Sequence, residues 1–474
     1  MPVPVVTIAQ MREWERATWA TGQTEAEVMR RVGEKIAKLA LRMTRSGDAI
    51  LILAGKGHNG DDTRAACELL HDRRVETMDA SAPENDSAKL EAALRTQPAL
   101  IIDGLFGIGL DRPLDDGWKK ILTAVNETEI PVLAVDVPSG LNADTGQPQG
   151  TAIEAAVTLT VGAPKVGMLQ QSAWPFVGRL EVADEVGLVP CPHPGELNWT
   201  LPGDFADFPP RRGVASHKGS FGHLAIIAGS FGFHGAAVLA ARGAQRAQPG
   251  LITLFPQDAI YHVVASQLQA VMVNVWKSET KLPESASAVL IGPGLVAAEP
   301  VEELKTLTRR LWRRLARDSF LPMIVDASAL DWLVPHALAK NTIRVVTPHP
   351  GEAARMLGKT VQQVQANRLQ AVRDISHRYG DCWVVLKGHQ TLVGRSTDEI
   401  YVNSSGNPHL AQGGSGDVLA GFIAGLIAQP VLQADVGKTL RFAVWLHGST
   451  ADALQAVRTN WVVEDLVAGL GQAG

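Results

Sequence analysis

Cysteine is scarce in this chain. Of its 474 residues only Cys67, Cys191 and Cys382 are cysteines, far apart and without a CxxC spacing. That fits a reducing compartment and gives no structural zinc site. Basic blocks are also missing. A formal net charge of −5 and an isoelectric point near 6.2 argue against a nucleic-acid-binding surface. No charged segment followed by an apolar run opens the sequence, so no signal peptide is expected. The longest uncharged apolar run, Val418–Ala428, is too short to cross a bilayer, and no membrane partner is expected. No solenoid-length repeat or low-complexity tract occurs. What remains, with 46% hydrophobic and 20% charged residues, is the profile of a cytoplasmic enzyme of about two or three domains.

The most informative stretch runs from Asn403 to Gln429. Its first half is a loop of glycines and small polar residues. Its second half predicts a helix, with Val418, Leu419, Phe422, Ile423, Leu426 and Ile427 on one stripe. Ala420, Gly421, Ala424, Gly425 and Ala428 lie opposite, where a neighbouring backbone can pack closely. Gly413, Gly414 and Gly416 precede the first turn, where free N–H groups and the helix dipole attract anions. Asp417 opens the helix, either as an ordinary N-terminal acid or as a base beside a bound phosphate.

Ahead of this stretch the chain alternates strands and helices. Val28, Val32, Ile36, Leu39 and Met43 keep a helical stripe. Apolar runs at Ala49–Gly55, Ala99–Gly104, Ile130–Asp136 and Ala155–Lys165 read as buried parallel strands. The KGHNGDDT segment after the first of them reads as a loop, with a helix over RAACELLHDRR. Ligands of such sheets bind at the carboxyl ends of the strands, and those ends carry Asn59, Asp62, Asp103, Asp136, Ser139 and Lys165. From Val189 to about Arg212, prolines punctuate a segment without periodicity, which reads as an interdomain linker. Strand-like runs then resume, among them PMIVDASAL, IRVVTPHPGE and CWVVLKGHQTLV.

Gly55, Gly57 and Gly60 spell GxGxxG with Asp79 about twenty residues onward, which permits a dinucleotide reading. Asn59 and Asp62, however, look like groups that grip a ligand. Asp103 and Asp136 are either helix caps or members of one site. Asn59 and Ser139 oxygens with Asp103 suit a hard cation, which leaves Asp136 as a general base. Lys165 is a surface lysine or a fourth member of the same edge.

At these motifs the whole chain resembles the bifunctional NAD(P)H-hydrate repair enzymes. AGKGHNGDD, DGLFGIGL, DVPSGL and GAPKVG resemble the epimerase half; HKGSFGHLAIIAGS, IGPGL, TPHPGE, LKGHQT and GNPHLAQGGSGD resemble the dehydratase half. The resemblance implies an α/β chain with a Rossmann-like parallel-sheet epimerase domain (1–195) and a ribokinase-like dehydratase domain (210–474). The first would interconvert R and S hydrates of NADH and NADPH. The second would dehydrate the S hydrate at the expense of ADP, giving NAD(P)H, AMP and phosphate. Carried over by position, Asn59, Asp103 and Ser139 would hold potassium. The hydrate would lie against His58, Asn59, Gly60, Asp61 and Asp62, against the turn of Gly107, Ile108, Gly109, Leu110, Asp111, Arg112 and Pro113, and against Asp136, with Lys165 stabilising charge. In the second half, Ala236, Gly294, His349 and Asp417 would touch the hydrate. Lys387, Gly388, His389, Gln390, Thr391 and Gly416 would hold ADP with magnesium. Asp417 is the expected base, and a homo-oligomer is the expected assembly. The usual Asn-Asn-Gly-Gly-Asp-Gly of the epimerases is here His58-Asn59-Gly60-Asp61-Asp62-Thr63, so Asp61 adds a charge where glycine allows close approach.

Rival readings are a sugar or thiamin-precursor kinase, which has no need of the first half, a Rossmann oxidoreductase, and a non-catalytic binding protein, which has no need of Asp417.

Overall fold

The computed structural model describes residues 2–296, 301–313, 321–336 and 342–472. The chain divides into two compact units, Met1–Trp199 and Thr200–Gly474. The division falls inside the proline-punctuated segment, but that segment is not structureless. Leu197–Trp199 forms a short strand antiparallel to Val3–Pro4, and Trp199 is buried.

In the first unit, α1 (Ile8–Trp19) starts at a capping box. Thr7 Oγ1 accepts from Gln10 N–H at 3.2 Å, and the Gln10 side chain accepts from Thr7 N–H at 2.8 Å. Thr24 and Glu27 repeat the device at α2 (Glu25–Met43), whose Val28, Val32, Ile36 and Leu39 are buried as the stripe predicts. The sheet is wholly parallel. Its strands are β1 (Ala49–Ala54), β2 (Arg74–Asp79), β3 (Leu100–Gly104), β4 (Val132–Val135), β5 (Val157–Val161) and β6 (Arg179–Ala183), in the order β2-β1-β3-β4-β5-β6. Continuous apolar runs suit it because both faces are covered. Ile50, Ile52 and Ala54 pack with the α2 stripe, while Leu51 and Leu53 pack with Ile121, Leu122 and Val125 of α4 (Asp116–Asn126).

One expectation fails here. KGHNGDDT is not a loop followed by a helix over RAACELLHDRR: α3 runs from His58 to Cys67, so His58–Thr63 form its first turns. Helix propensity argues against such a start, but packing overrides it. A Cβ on Gly60 would lie 2.1 Å from the Gly55 carbonyl oxygen, so only glycine lets α3 sit so close to the end of β1.

The second unit has nine strands among its described residues: β7 (His223–Ile227), β8 (Leu251–Phe255), β9 (Met272–Val273), β10 (Ala288–Ile291), β11 (Met323–Val325), β12 (Arg344–Val346), β13 (Trp383–Leu386), β14 (Leu392–Gly394) and β15 (Ile400–Val402). Their order is β15-β14-β13-β12-β11-β10-β7-β8-β9. From β13 to β9 the neighbours run parallel; β13, β14 and β15 pair antiparallel. The run CWVVLKGHQTLV is therefore not one strand but a hairpin. Its turn holds Gly388 at φ 131° and Gln390 at φ 51°.

Under this sheet, α7 (Ser415–Ile427) is buried along nearly its whole length. Its glycine face meets α5 (His234–Arg246) backbone to backbone. A Cβ on Gly421 would stand 1.9 Å from Ala240 O, and one on Gly243 would stand 2.3 Å from Val418 O. No single helix among the described residues is long and apolar enough to cross a membrane.

Candidate active sites

In the first unit, register brings the polar strand ends together. Asp103 on β3 pairs opposite Ala134 on β4, and Asp136 follows immediately after β4. Asp103 is fully buried. Ser139 Oγ donates to Asp103 Oδ1 at 2.6 Å and Ser139 N–H to Asp103 Oδ2 at 2.8 Å. Phe106 N–H donates to Ser139 Oγ at 2.9 Å, and Asn59 Nδ2 donates to Phe106 O at 2.9 Å, which ties all three predicted metal ligands to one turn. Asn59 Oδ1 is left buried without a hydrogen-bond partner among the described residues. Such an orphan acceptor costs about 1–3 kcal/mol. Burial pushes the Asp103 carboxyl up to about 6 against the pull of its Ser139 and Leu105 hydrogen bonds. An orphan amide oxygen, a hydroxyl and a carboxylate short of positive charge form an all-oxygen donor set that fits a hard cation.

Lys165 is not a surface lysine. It is fully buried, and its Nζ bonds Asp136 Oδ1, Thr160 Oγ1 at 2.9 Å and Val161 O at 3.1 Å. Asp136 Oδ1 also accepts from Val161 N–H at 3.1 Å. The Asp136 backbone is held at φ 62°, left-handed and strained for a residue other than glycine, which fixes the carboxylate at the strand end. Over this floor opens a cleft of about 890 Å³ lined by His58, Asn59, Asp62, Asp136 and the whole Gly107–Pro113 turn. Gly60 and Asp61 do not line it. Asp61 Oδ1 instead accepts from Arg64 Nη1 at 2.8 Å, and Arg64 Nη2 also reaches Asp79 Oδ1 at 2.7 Å. The GxGxxG glycines thus serve close packing, and Asp79 anchors Arg64. Asp62 is buried and lines the cleft; burial and then Asp136, Asp61 and Glu15 push its carboxyl up to about 8. Glu15, from α1, lines the same cleft and is raised by burial and Asp136. Sequence reading missed Glu15, since it passed over α1, whose buried face is only Met11, Trp14 and Thr18.

In the second unit, register aligns Val325 of β11 with Val346 of β12, so the next residues, Asp326 and Thr347, are neighbours. Thr347 Oγ1 donates to Asp326 Oδ1 at 2.6 Å. Lys387, just past β13, donates from Nζ to the same oxygen at 2.7 Å and lies 3.9 Å from Glu352 Oε2. His349 caps α6 (Pro350–Leu357): its Nδ1 accepts from Gly351 N–H at 3.0 Å, while His349 N–H donates to Glu352 Oε2 at 2.7 Å. Asp417 lies in the first turn of α7, which begins two residues earlier at Ser415. Burial, Asp326 and Glu352 push its carboxyl up to about 7, against the pull of Lys387. Gly416 lies beside the lysine: a Cβ there would stand 3.5 Å from Lys387 Nζ, an ordinary contact.

Thr391 Oγ1 closes the KGHQT turn on Gly388 O at 3.0 Å. Gly294, at φ 65°, packs against Ala236: a Cβ there would be 2.8 Å from Ala236 Cβ. Three carboxylates thus face one lysine, and two of them, Asp326 and Glu352, escaped the sequence reading. Asp326 ends a strand as Asp103 does, and Glu352 stands in the TPHPGE motif, so the signal was present. No group of three or more His, Cys, Asp or Glu side chains among the described residues is placed to hold a metal ion unaided. A carboxylate surplus of this kind fits magnesium arriving with nucleotide phosphates.

Comparison with known proteins agrees with this division. A family model described as NAD(P)H-hydrate dehydratase matches residues 224–468, and one described as YjeF-related protein N-terminus matches residues 73–167. The chain is 32% identical over 468 residues to the bifunctional NAD(P)H-hydrate repair enzyme of Coxiella burnetii, covering 94% of this chain and 93% of that protein. It is 31% identical over 483 residues to the enzyme of that name from Escherichia coli, covering 94% and 88%. A ribokinase-like superfamily protein from Enterococcus faecalis matches the fold of the second unit with a TM-score of 0.50 at 22% identity, covering 59% of this chain and 96% of that one. With both family models in order along one chain, and full-length relatives above 30% identity, this chain belongs to the family of bifunctional NAD(P)H-hydrate repair enzymes.

Proposed function

We propose that the first unit equilibrates the R and S hydrates of NADH and NADPH, and that the second dehydrates the S hydrate with ADP. The observation that carries this reading is Asp417, a half-buried carboxyl raised to about 7 in the first turn of α7, beside Lys387. A carboxylate so placed takes the proton of a bound hydroxyl while the N–H groups of the first turn receive phosphate.

In the second unit, Lys387–Thr391 and Gly416 bind the nucleotide, and Ala236, Gly294 and His349 bound the hydrate. Asp417 removes the hydrate hydroxyl proton, and the oxygen attacks the terminal phosphorus of ADP. AMP leaves. The C–O bond of the phosphorylated hydrate then breaks, phosphate departs, and loss of the neighbouring C–H proton restores the ring double bond. Positioning and charge stabilisation supply most of the acceleration in such a transfer. Asp326 and Glu352 would hold magnesium, which neutralises the phosphates when bound.

In the first unit, Asn59, Asp103 and Ser139 would hold potassium, which supplies positive charge beneath the ligand. Asp136, fixed by Lys165 and lining the cleft, would serve as the base. The test is chromatographic R-to-S exchange without ADP, followed by dehydration of pure S hydrate with ADP. Asp136→Asn should abolish the first and spare the second; Asp417→Asn should do the reverse. Loss of both activities in either variant refutes the division of labour.

A further inference from the structure

Six carboxyl groups line the epimerase cleft, and three of them, from separate elements, face one another: Glu15 from α1, Asp62 from α3 and Asp136 after β4. Arg12, Lys56 and Arg112 also line the cleft, but no cation bears on Asp62, and the buried Lys165 is committed to Asp136. Asp62 is 9% exposed, lines the cleft, and accepts no hydrogen bond from any described residue, although it is buried almost as deeply as a core side chain. A buried carboxylate without donor or counter-ion is costly, and such a group keeps its proton instead. The groups facing Asp62 are Asp136, Asp61 and Glu15, all of one sign; those facing Glu15 are Asp136, Lys165, His58 and Arg12. The raised carboxyl of Asp62 therefore lies beside Asp136, which is paired with Lys165.

Resting on the epimerase reading above, we infer that Asp62 is the general acid of epimerisation, acting with Asp136 as base while the Glu15 carboxylate stabilises the cation formed between them. Water adds to a dihydronicotinamide as to any enamine, with its proton on the outer carbon and its hydroxyl on the carbon bonded to the ring nitrogen. The epimeric centre is therefore a carbinolamine. The Asp62 proton passes to its hydroxyl, the C–O bond breaks, and water leaves as the nitrogen lone pair forms the C=N bond of an iminium cation. A second water adds to the other face, the C=N electrons return to nitrogen, and a proton of that water passes to Asp136. Attack on a cation makes the incoming water strongly acidic, so a carboxylate already paired with Lys165 suffices as acceptor. Solvent returns the proton from Asp136 to Asp62. One water leaves and one enters, and no oxidant or reductant is needed.

The test is R-to-S exchange by the full-length chain without ADP, in oxygen-18 water, as a function of pH. Wild type should take up one solvent oxygen per inversion, and its kcat should fall as pH rises through about 8, where Asp62 loses its proton. Asp62→Asn should lower kcat by about 10²–10⁴-fold, leave KM within a few-fold, and abolish the falling limb. Asp62→Glu should restore part of the rate together with the limb. Dehydration of pure S hydrate with ADP, unchanged in both variants, checks the second unit, and a first-unit unfolding transition at the wild-type denaturant midpoint shows that the unit carrying Asp62 is folded. Exchange by Asp62→Asn at the wild-type rate, inversion without oxygen uptake, or no recovery in Asp62→Glu overturns the assignment. A wild-type chain that does not exceed spontaneous exchange refutes the epimerase reading instead.

Discussion

Replacing Asp417 by asparagine separates two consequences of one half-buried carboxyl. The side chain keeps its shape, so the first turn of α7 and the packing of Val418 and Leu419 behind it are undisturbed. The base is lost, and dehydration of S hydrate should fall about 10²–10⁴-fold, or roughly 3–5 kcal/mol of barrier. Stability should move the other way. Burial and the neighbouring Asp326 raise the carboxyl from its ordinary 3.8 to about 7, despite Lys387. At about 1.4 kcal/mol per unit, the charged form is penalised by at most roughly 4.5 kcal/mol. Because the folded value is raised, this penalty is absent below pH about 4, grows between about 4 and 7, and is complete above. Asp417→Asn should therefore unfold later than wild type at pH 8 and together with it at pH 4, while nucleotide binding persists. The wild-type dehydration rate should rise with pH through about 7 as the base ionises. Thermal unfolding at the two pH values, with S-hydrate turnover on the same preparations, checks both. Near-normal turnover by the variant would move the base to another group, with His349 next in line, and a variant less stable at pH 8 would refute the burial argument.

Further expectations follow from particular contacts. Lys165→Met leaves Asp136 buried and unpaired, so the first unit should lose about 3–5 kcal/mol by denaturant unfolding and lose exchange with it. Asp61→Gly frees Arg64 from one partner and adds net positive charge near the cleft. The exchange KM should fall at low salt and return to the wild-type value near 1 M, where the Debye length is about 3 Å; a KM that rises would mean that Asp61 itself engages the ligand. A fragment beginning at Thr200 should fold and dehydrate only the S epimer. One beginning at His217 omits Phe205 and Phe208, whose rings meet Phe442 edge to face at 5.5 and 5.1 Å between centroids, and should be less stable by several kcal/mol in chemical denaturation.

Much of this was legible from residue order alone. Apolar runs such as Ala49–Ala54 announce strands covered on both faces, and parallel strands place their ends on one edge, which is why Asp103 and Asp136 point to a common site before any coordinates. The small-residue face of α7 likewise announced the close approach of α5. What was not legible depends on tertiary packing. His58–Thr63 contains poor helix formers and turns helical because Gly60 fits against Gly55. The KGHQT segment reverses the chain between two strands that look like one run, since nothing in its apolar pattern marks the left-handed Gln390. Glu15 stands on a helix of weak periodicity and gains its meaning only where α1 meets the cleft. Lys165 reads as surface by residue type and is buried because Asp136 neutralises it.

The central claim is that two sites on one chain complete one repair, and a mixture of epimers tests it most directly. An R and S mixture of NADPH hydrate is given to the full-length chain with ADP and magnesium, and the near-ultraviolet absorbance of NADPH is followed to its end point. Wild type should return the whole mixture to NADPH in one phase. Asp136→Asn should return the S fraction at the wild-type rate and the R fraction only as fast as it epimerises spontaneously. Complete single-phase recovery by Asp136→Asn, or no recovery by wild type, would contradict the account.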